Sequence, residues 1–128
     1  MRRTALLAAL AFLPLAPGLA HAIDQRDFEA RNAGQLANLC GAKATERDGT
    51  AAINFCHGFT QAAVDMALTQ EREAGKPRSI CFPNPAPKRQ ATLDEFVTWV
   101  RAQPDRLPSP PTKAFLSFMT ERFPCKGG

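Results

Sequence analysis

The sequence has few of the side chains that enzymes use for acid–base and nucleophilic chemistry. Its 128 residues include two histidines, one tryptophan and no tyrosine. Beyond the N-terminal segment the only histidine is His57, which directly follows Cys56. A nucleophilic site needs a nucleophile, a base and a group that orients the base, and Asp65 lies more than two helical turns beyond this pair. The sequence therefore indicates a protein that is not an enzyme.

Closely spaced metal ligands are also missing from the sequence. No C-x-x-C or H-x-x-x-H occurs, whereas zinc sites use paired ligands at such spacings. Covalent haem attachment needs a second cysteine three residues before Cys56, where the chain has Ile53. We therefore expect no metal, no haem and no other cofactor, and we expect His57 to be a surface residue.

Residues 1–22 have the pattern of a secretory signal peptide. Arg2 and Arg3 precede an apolar run over residues 5–15, and Ala20-His21-Ala22 forms a small-x-small cleavage site. The apolar run is shorter than the roughly 20 residues that span a bilayer. We expect residues 1–22 to be cleaved, leaving residues 23–128 as a single helical domain exported to the periplasm, with no membrane segment.

The charge of the exported part gives no reason to expect nucleic acid or an anionic membrane as a partner. The full chain has 16 basic and 12 acidic residues, a net charge of +4. Two of the basic residues, Arg2 and Arg3, belong to the expected signal peptide. The small remaining excess is scattered along the sequence, unlike the clustered charge of nucleic-acid-binding proteins.

Apolar residues at spacings of three and four predict two helices in the first half of the domain. The first is capped by Asn32, with Gln35 three residues later, and ends at Gly41 in a left-handed conformation. The second is capped by Thr50 and runs to about Ala74, before Gly75 and Pro77. Its expected inward stripe consists of Ala52, Phe55, Cys56, Phe59, Ala63, Met66 and Ala67.

Two further helices are predicted in the second half. The third opens with the capping-box pattern Thr92–Glu95 and ends before Pro104. The fourth begins at Ser109-Pro110 and ends before Phe123-Pro124-Cys125. The residues expected at inward helical spacing are Leu93, Phe96, Val97 and Val100, followed by Phe115, Phe118, Met119 and Arg122. The predicted fold class is all-α, a small disulfide-stapled bundle of about four helices with proline-rich connections.

Two proline-rich links, residues 76–90 and 104–111, are predicted to be stiff loops. Four prolines between residues 76 and 90 disfavour both helix and central strand. A stiff loop loses little entropy on binding, so these links are candidate contact segments, although solvated loop charges are the plainer interpretation. The candidate partner-binding residues are Lys76, Arg78, Asn84, Lys88, Arg89, Asp105 and Arg106.

An ordered set of motifs gives the chain a family resemblance. The motifs are Gly34-Gln-Leu36 before Cys40, Cys56-x-x-Phe59-x-x-Ala62-x-x-Asp65, Cys81-x-Pro83, Gln103-Pro104 and Phe123-Pro124-Cys125. Over residues 34–125 this combination resembles the Tai/Rap family of immunity proteins of bacterial type VI secretion. Two positions depart from the pattern, because the family often has tyrosine in place of Phe59 and glycine in place of Ala62.

The resemblance implies an all-helical periplasmic protein, often a homodimer, that binds an incoming peptidoglycan amidase and occludes its active-site cleft. Such a protein is an inhibitor and not an enzyme. The alternative is a secreted envelope protein of the same fold that has a different binding or stress-protection role and no cognate effector.

The four cysteines, Cys40, Cys56, Cys81 and Cys125, are expected to form two disulfides, because an even number in a small exported domain is typical of such a framework. Three pairings are possible. We favour Cys40 with Cys56, because a short helix and a connection place Cys40 at the edge of the second helix's inner stripe. Cys81 then pairs with Cys125.

Overall fold

Four α-helices account for most of the described chain. The computed structural model describes residues 23–126; the predicted signal peptide, residues 1–22, and residues 127–128 lie outside the described residues. The helices are α1 (Ala33–Cys40), α2 (Gly49–Glu73), α3 (Arg89–Arg101) and α4 (Pro111–Arg122), with short 3₁₀ helices at Gln25–Glu29 and Pro104–Arg106. The predicted all-α class is confirmed.

Helix α1 lies at the centre of the bundle and packs against the other three helices. Its Leu36 and Leu39 are fully buried. On α3, Phe96 is also fully buried, and its ring lies 5.1 Å edge-on from Phe115 and 5.6 Å from Phe118 of α4. Burying each such side chain contributes about 1.5–3 kcal/mol, so these contacts hold the bundle together.

Helix α1 is capped at its start by Asn32 as predicted, but the backbone conformation at its end is not the predicted one. The Asn32 side chain accepts a hydrogen bond from the Gln35 amide at 2.9 Å. Gly41 has φ −89°, so the predicted left-handed ending is wrong. A Cβ atom at Gly41 would lie 3.2 Å from the Ala37 carbonyl oxygen and 3.4 Å from Val97 Cγ1. Glycine therefore serves close packing here, not a left-handed backbone.

Helix α2 begins earlier than predicted. Its N-cap is Asp48, with φ +60°, and not Thr50. A tight turn precedes it, in which the Glu46 amide donates to the Lys43 carbonyl at 2.9 Å and the Gly49 amide donates to the Glu46 carbonyl at 3.0 Å. The backbone therefore already turns into the helix before Thr50, which leaves that side chain exposed.

The predicted inward stripe of α2 is wrong at Met66, and its other members are buried or half-buried. Ala52 and Cys56 are fully buried, but Met66 is 60% exposed. Thr60 and Val64 face the core in place of Met66. They continue from Cys56 at steps of four residues. The buried face of α2 runs through Cys56, Thr60 and Val64, so Met66 lies beside this face and lines a depression between α2 and α4.

The predicted inward residues of α3 are confirmed, but the predicted start is wrong. Leu93, Phe96, Val97 and Val100 are all buried. The helix begins at Arg89, and Thr92 is buried inside its first turn. There the Thr92 hydroxyl donates to the Lys88 carbonyl oxygen, so this side chain bonds backward along the helix and does not cap it.

The two disulfides join the pairs expected from the sequence. Cys40 and Cys56 connect the end of α1 to α2 and are buried in the core. Cys81 and Cys125 connect the loop before α3 to the segment after α4. Arg122, expected at inward spacing, is instead exposed and forms an ion pair with Glu95 of α3. Its long charged side chain thus links two helices at the surface.

Two glycines of α2 are expected to respond oppositely to replacement by alanine. A Cβ atom at Gly49 would lie 1.8 Å from the Lys43 carbonyl oxygen, so Gly49→Ala must displace backbone and should lower the free energy of unfolding by about 1–3 kcal/mol. At Gly58 nothing lies within 4 Å, and Gly58→Ala should raise it by about 1 kcal/mol. Urea unfolding followed by far-ultraviolet circular dichroism measures both. Equal effects at the two sites would contradict the turn geometry.

Candidate partner-binding surface

The link between α2 and α3, residues 76–88, is named here the proline-rich loop. Gly75 enters it with φ +63°, the left-handed conformation that favours glycine. The Lys76 amide then donates to the Glu71 carbonyl at 2.8 Å. The Glu71 carboxylate accepts a hydrogen bond from the Ser79 amide at 3.1 Å. The start of the loop is therefore fastened to the last turns of α2.

The middle of the proline-rich loop is fastened to the end of the chain. Ile80 is fully buried and forms an isolated antiparallel bridge with Pro124. The Cys81 amide donates to the Phe123 carbonyl at 2.9 Å, and the Cys81 sulfur is bonded to Cys125. Backbone hydrogen bonding, burial and a covalent bond thus act within two consecutive residues, which makes the base of the loop rigid.

The tip of the proline-rich loop is exposed. Residues 83–86 are exposed throughout. Phe82 is 42% exposed, and its ring lies 5.1 Å from the buried ring of Phe123. The loop therefore presents a short stiff segment to solvent from a fixed base.

Five of the seven candidate partner-binding residues lie on this loop or directly after it. Lys76, Arg78, Asn84 and Lys88 are exposed, and their side chains form no hydrogen bond within residues 23–126. Arg89 is exposed in the first turn of α3, but its guanidinium donates to Gln61 Oε1 of α2 at 2.7 Å. Four of these side chains are thus available to a partner, and the fifth also connects two helices.

The other two candidate residues, Asp105 and Arg106, lie in the 3₁₀ helix of the second link. Asp105 is exposed. The Arg106 guanidinium lies 3.7 Å from the centre of the Trp99 ring and donates to the Trp99 carbonyl at 2.6 Å. Trp99 in turn donates from its indole nitrogen to Glu121 at 2.9 Å. Arg106 therefore has an intramolecular role, which the sequence did not reveal.

The second link also closes the N-terminal end of α1. The Ala33 amide donates to the Ser109 carbonyl at 2.8 Å, and the Gly34 amide donates to the Leu107 carbonyl at 3.0 Å. The first amides of a helix have no partner within the helix, so these two bonds satisfy groups that α1 itself leaves unpaired. The second link is a structural part of the bundle.

The Cys56–His57 pair carries no nucleophile in this structure. The Cys56 sulfur is bonded to Cys40, and a disulfide sulfur is not a thiolate. The His57 ring is partly exposed, with Nε2 3.2 Å from Gln90 Oε1 of α3. Among residues 23–126 no group of three or more histidine, cysteine, aspartate or glutamate side chains is placed to hold a metal ion.

A groove between α2, the proline-rich loop and α3 was not predicted from the sequence. Its volume is about 280 Å³, residues of α4 form its floor, and we name it the α2–α3 groove. Its lining residues are Thr60, Gln61, Val64, Asp65, Phe82, Ala86, Pro87, Arg89, Thr92, Leu93, Phe115 and Met119. Its lining comes from α2, the proline-rich loop, α3 and α4, which are far apart in the sequence.

A second depression, of about 380 Å³, lies between α2 and α4, and we name it the α2–α4 depression. It is mostly apolar and includes the exposed Met66. Its lining residues are Phe59, Ala62, Ala63, Met66, Ala67, Gln70, Thr112 and Leu116.

The hydrogen bond from Ser79 lowers the pKa of Glu71 below its ordinary value of 4.5. A lowered pKa means that the bond contributes at pH values above the ordinary pKa and is lost as the pH falls through the lowered one. The Ser79 amide shift, measured by NMR against pH, should therefore titrate with a midpoint below 4.5. Glu71→Gln should abolish this titration and Glu73→Gln should not. A Ser79 shift that ignores acid would contradict the contact.

The described residues form a small helical domain with two disulfides, one exposed proline-rich loop and a groove beside it. Residues 32–125 match the family of Rap1a immunity proteins, and the chain belongs to this family. The comparisons with curated proteins and with solved structures gave no match. Among residues 23–126 no helix is both long and apolar enough to cross a membrane.

Family membership confirms the resemblance seen in the sequence. The matched region, residues 32–125, contains all four helices and both disulfides. Membership indicates an immunity protein that acts against a secreted protein effector.

Proposed function

We propose that this protein binds a peptidoglycan amidase delivered by type VI secretion and occludes its active-site cleft with the proline-rich loop. The observation that carries the proposal is the rigid base of this loop, where Ile80, Cys81 and Ser79 are fixed while residues 83–86 remain exposed. A segment that is already ordered loses little conformational entropy when it enters a cleft.

The structure favours the proline-rich loop over the second link as the inserting segment. The second link uses its carbonyls at Leu107 and Ser109 to cap α1, and Arg106 is held on Trp99. Inserting this link into a partner would break contacts that the bundle needs. The proline-rich loop offers Lys88, Arg78 and Asn84 without such a loss.

A periplasmic location is part of the proposal. Residues 1–22 have the signal-peptide pattern, and two disulfides with no free cysteine among residues 23–126 suit an oxidising compartment. The periplasm is also where an amidase would reach the cell wall that it cleaves.

Charge reversal on the proline-rich loop tests the proposed contact. Lys88→Glu should raise the dissociation constant for the amidase by about tenfold or more, because about 1.4 kcal/mol of charge complementarity would be lost. Lys88→Glu combined with Arg89→Glu should weaken binding further, since the Gln61 contact is lost as well. Isothermal titration calorimetry with purified amidase measures both.

The matched control for this test is Glu73→Lys, on the exposed end of α2. Glu71 is not a suitable control, because it holds Ser79. In cells, periplasmic expression beside a toxic amidase of the same genome should restore growth. Failure to rescue against every such amidase would favour the alternative, an envelope protein of the same fold without a cognate effector. Exposure of dye-binding apolar surface in acid would support a stress-protection role.

We also propose that the protein forms a homodimer through the α2–α4 depression. Met66 is the most exposed of the large apolar side chains in residues 23–126, and it lies beside Phe59, Ala62 and Leu116. A two-fold dimer buries the same patch on both copies, so a single apolar patch is sufficient to form its interface.

Met66→Glu should convert the dimer to a monomer, because two like charges would then meet in an apolar contact. Sedimentation velocity measures the change. Ala51→Glu, an exposed position on the same helix and outside the depression, should leave the dimer intact. A monomeric wild-type protein at micromolar concentration would contradict the proposal.

A further inference from the structure

We propose that the Cys81–Cys125 disulfide is a redox latch, which a dithiol reductant opens while the Cys40–Cys56 disulfide stays closed. Opening the latch releases the proline-rich loop from the end of α4 and leaves the helical bundle folded. The latch is a property of the isolated protein and needs no effector. Its consequence for binding rests on the proposed function, because the loop that it holds is the proposed contact segment.

The two disulfides differ in their access to solvent. Cys40 and Cys56 are at most 1% exposed, the first at the end of α1 and the second inside α2. Cys81 and Cys125 are both partly exposed, and both lie outside the helices. Reduction requires a thiolate to reach one of the two sulfur atoms, so its rate depends on access. The Cys81–Cys125 bond is therefore the one that a reductant reaches in the folded protein.

Opening the latch is a thiol–disulfide exchange with a dithiol as the electron donor. A thiolate of the reductant attacks the Cys81 sulfur, forms a mixed disulfide and releases Cys125 as a thiolate. The second thiol of the reductant then attacks the reductant's own sulfur and releases Cys81, so the reductant becomes a disulfide and the latch gains two electrons and two protons. Cys125 is the expected leaving group because the exposed Lys126 directly follows it, and a neighbouring cation stabilises a thiolate.

Few other bonds hold the proline-rich loop near the latch. The Cys81 amide donates to the Phe123 carbonyl at 2.9 Å, and the adjacent Ile80 is buried. Within residues 23–126, no hydrogen bond joins residues 82–87 to the rest of the domain, and the next bonded group is the Lys88 carbonyl at the start of α3. Without the disulfide, one backbone hydrogen bond and side-chain contacts remain to hold this part of the loop.

The helical bundle is held by contacts that do not involve the latch. Helix α1 packs against the other three helices, and the Cys40–Cys56 disulfide joins it to α2 inside the core. Phe96 of α3 packs against Phe115 and Phe118 of α4. A segment with few buried contacts can open locally while the well-packed core stays closed. Opening the latch therefore loosens the loop and the end of the chain before it affects the helices.

Differential alkylation tests the order in which the disulfides are reduced. The oxidised protein is incubated with dithiothreitol at neutral pH without denaturant, and free thiols are labelled with iodoacetamide at successive times and mapped by mass spectrometry. Cys81 and Cys125 should be labelled at least about tenfold faster than Cys40 and Cys56, because the buried pair is reached only when the core opens. Equal rates, or earlier labelling of the buried pair, would overturn the latch.

Hydrogen exchange followed by NMR tests what the latch holds. When only Cys81 and Cys125 are reduced, the amide of residue 81 should exchange at least about tenfold faster, while the Leu39 amide in α1 and the far-ultraviolet circular dichroism stay unchanged. The double variant Cys81→Ser/Cys125→Ser should show the same pattern without a reductant. An unchanged amide at residue 81 overturns the release of the loop. Loss of helical circular dichroism in either form shows that the disulfide maintains the whole bundle and is not a latch.

Amidase binding separates the latch from the proposed function. In isothermal titration calorimetry, Cys81→Ser/Cys125→Ser should bind at least about tenfold more weakly than the wild type, because a loosened loop loses more entropy when it enters a cleft. Equal binding by the two proteins overturns the regulatory consequence. If the wild type binds no amidase of the same genome, the proposed function fails, while alkylation and hydrogen exchange still decide the latch.

Discussion

The attachment of residues 80–82 to residues 123–125 is the constraint on which the candidate partner-binding surface depends. The buried Ile80 pairs with Pro124, Cys81 is bonded to Cys125, and Phe82 rests on Phe123. The disulfide closes a segment with a sequence separation of 44 that contains both α3 and α4, which stabilises the folded state by about 4 kcal/mol in the chain-entropy model. The same attachment fixes the base of the loop, one wall of the groove and the end of α4.

The helices could be predicted from the sequence wherever an apolar stripe meets a single neighbouring surface. The inward face of α3 was predicted residue by residue, because Phe96 and its neighbours all pack into one core. The prediction for Met66 of α2 was wrong because the buried face of this helix runs through Cys56, Thr60 and Val64, and apolar spacing alone does not show that Met66 lies beside it. The predicted starts of α2 at Thr50 and of α3 at Thr92 were wrong, because a capping motif competes with the turn geometry that earlier residues set.

The candidate site was predicted less completely, because its contacts join residues that are far apart in sequence. The positions of the four cysteines and of the prolines located the rigid loop. Arg89 and Gln61 are 28 residues apart, and Glu71 and Ser79 are 8 apart. Nothing in the sequence distinguishes these residues from polar side chains that face solvent. The groove is a product of three-dimensional packing, so no local pattern encodes it.

The two proline-rich links have similar compositions but different physical roles. The link before α4 directs its backbone acceptors inward, where the α1 amides require them, and its arginine is held on an indole ring. The link before α3 is fastened only at its base, and its tip leaves polar groups and an aromatic face unsatisfied by the rest of the chain. Groups that the fold does not use are free to contribute binding energy without a compensating loss of stability. The division of backbone hydrogen bonds between the links therefore favours the link before α3, the proline-rich loop, as the segment that recognises a partner.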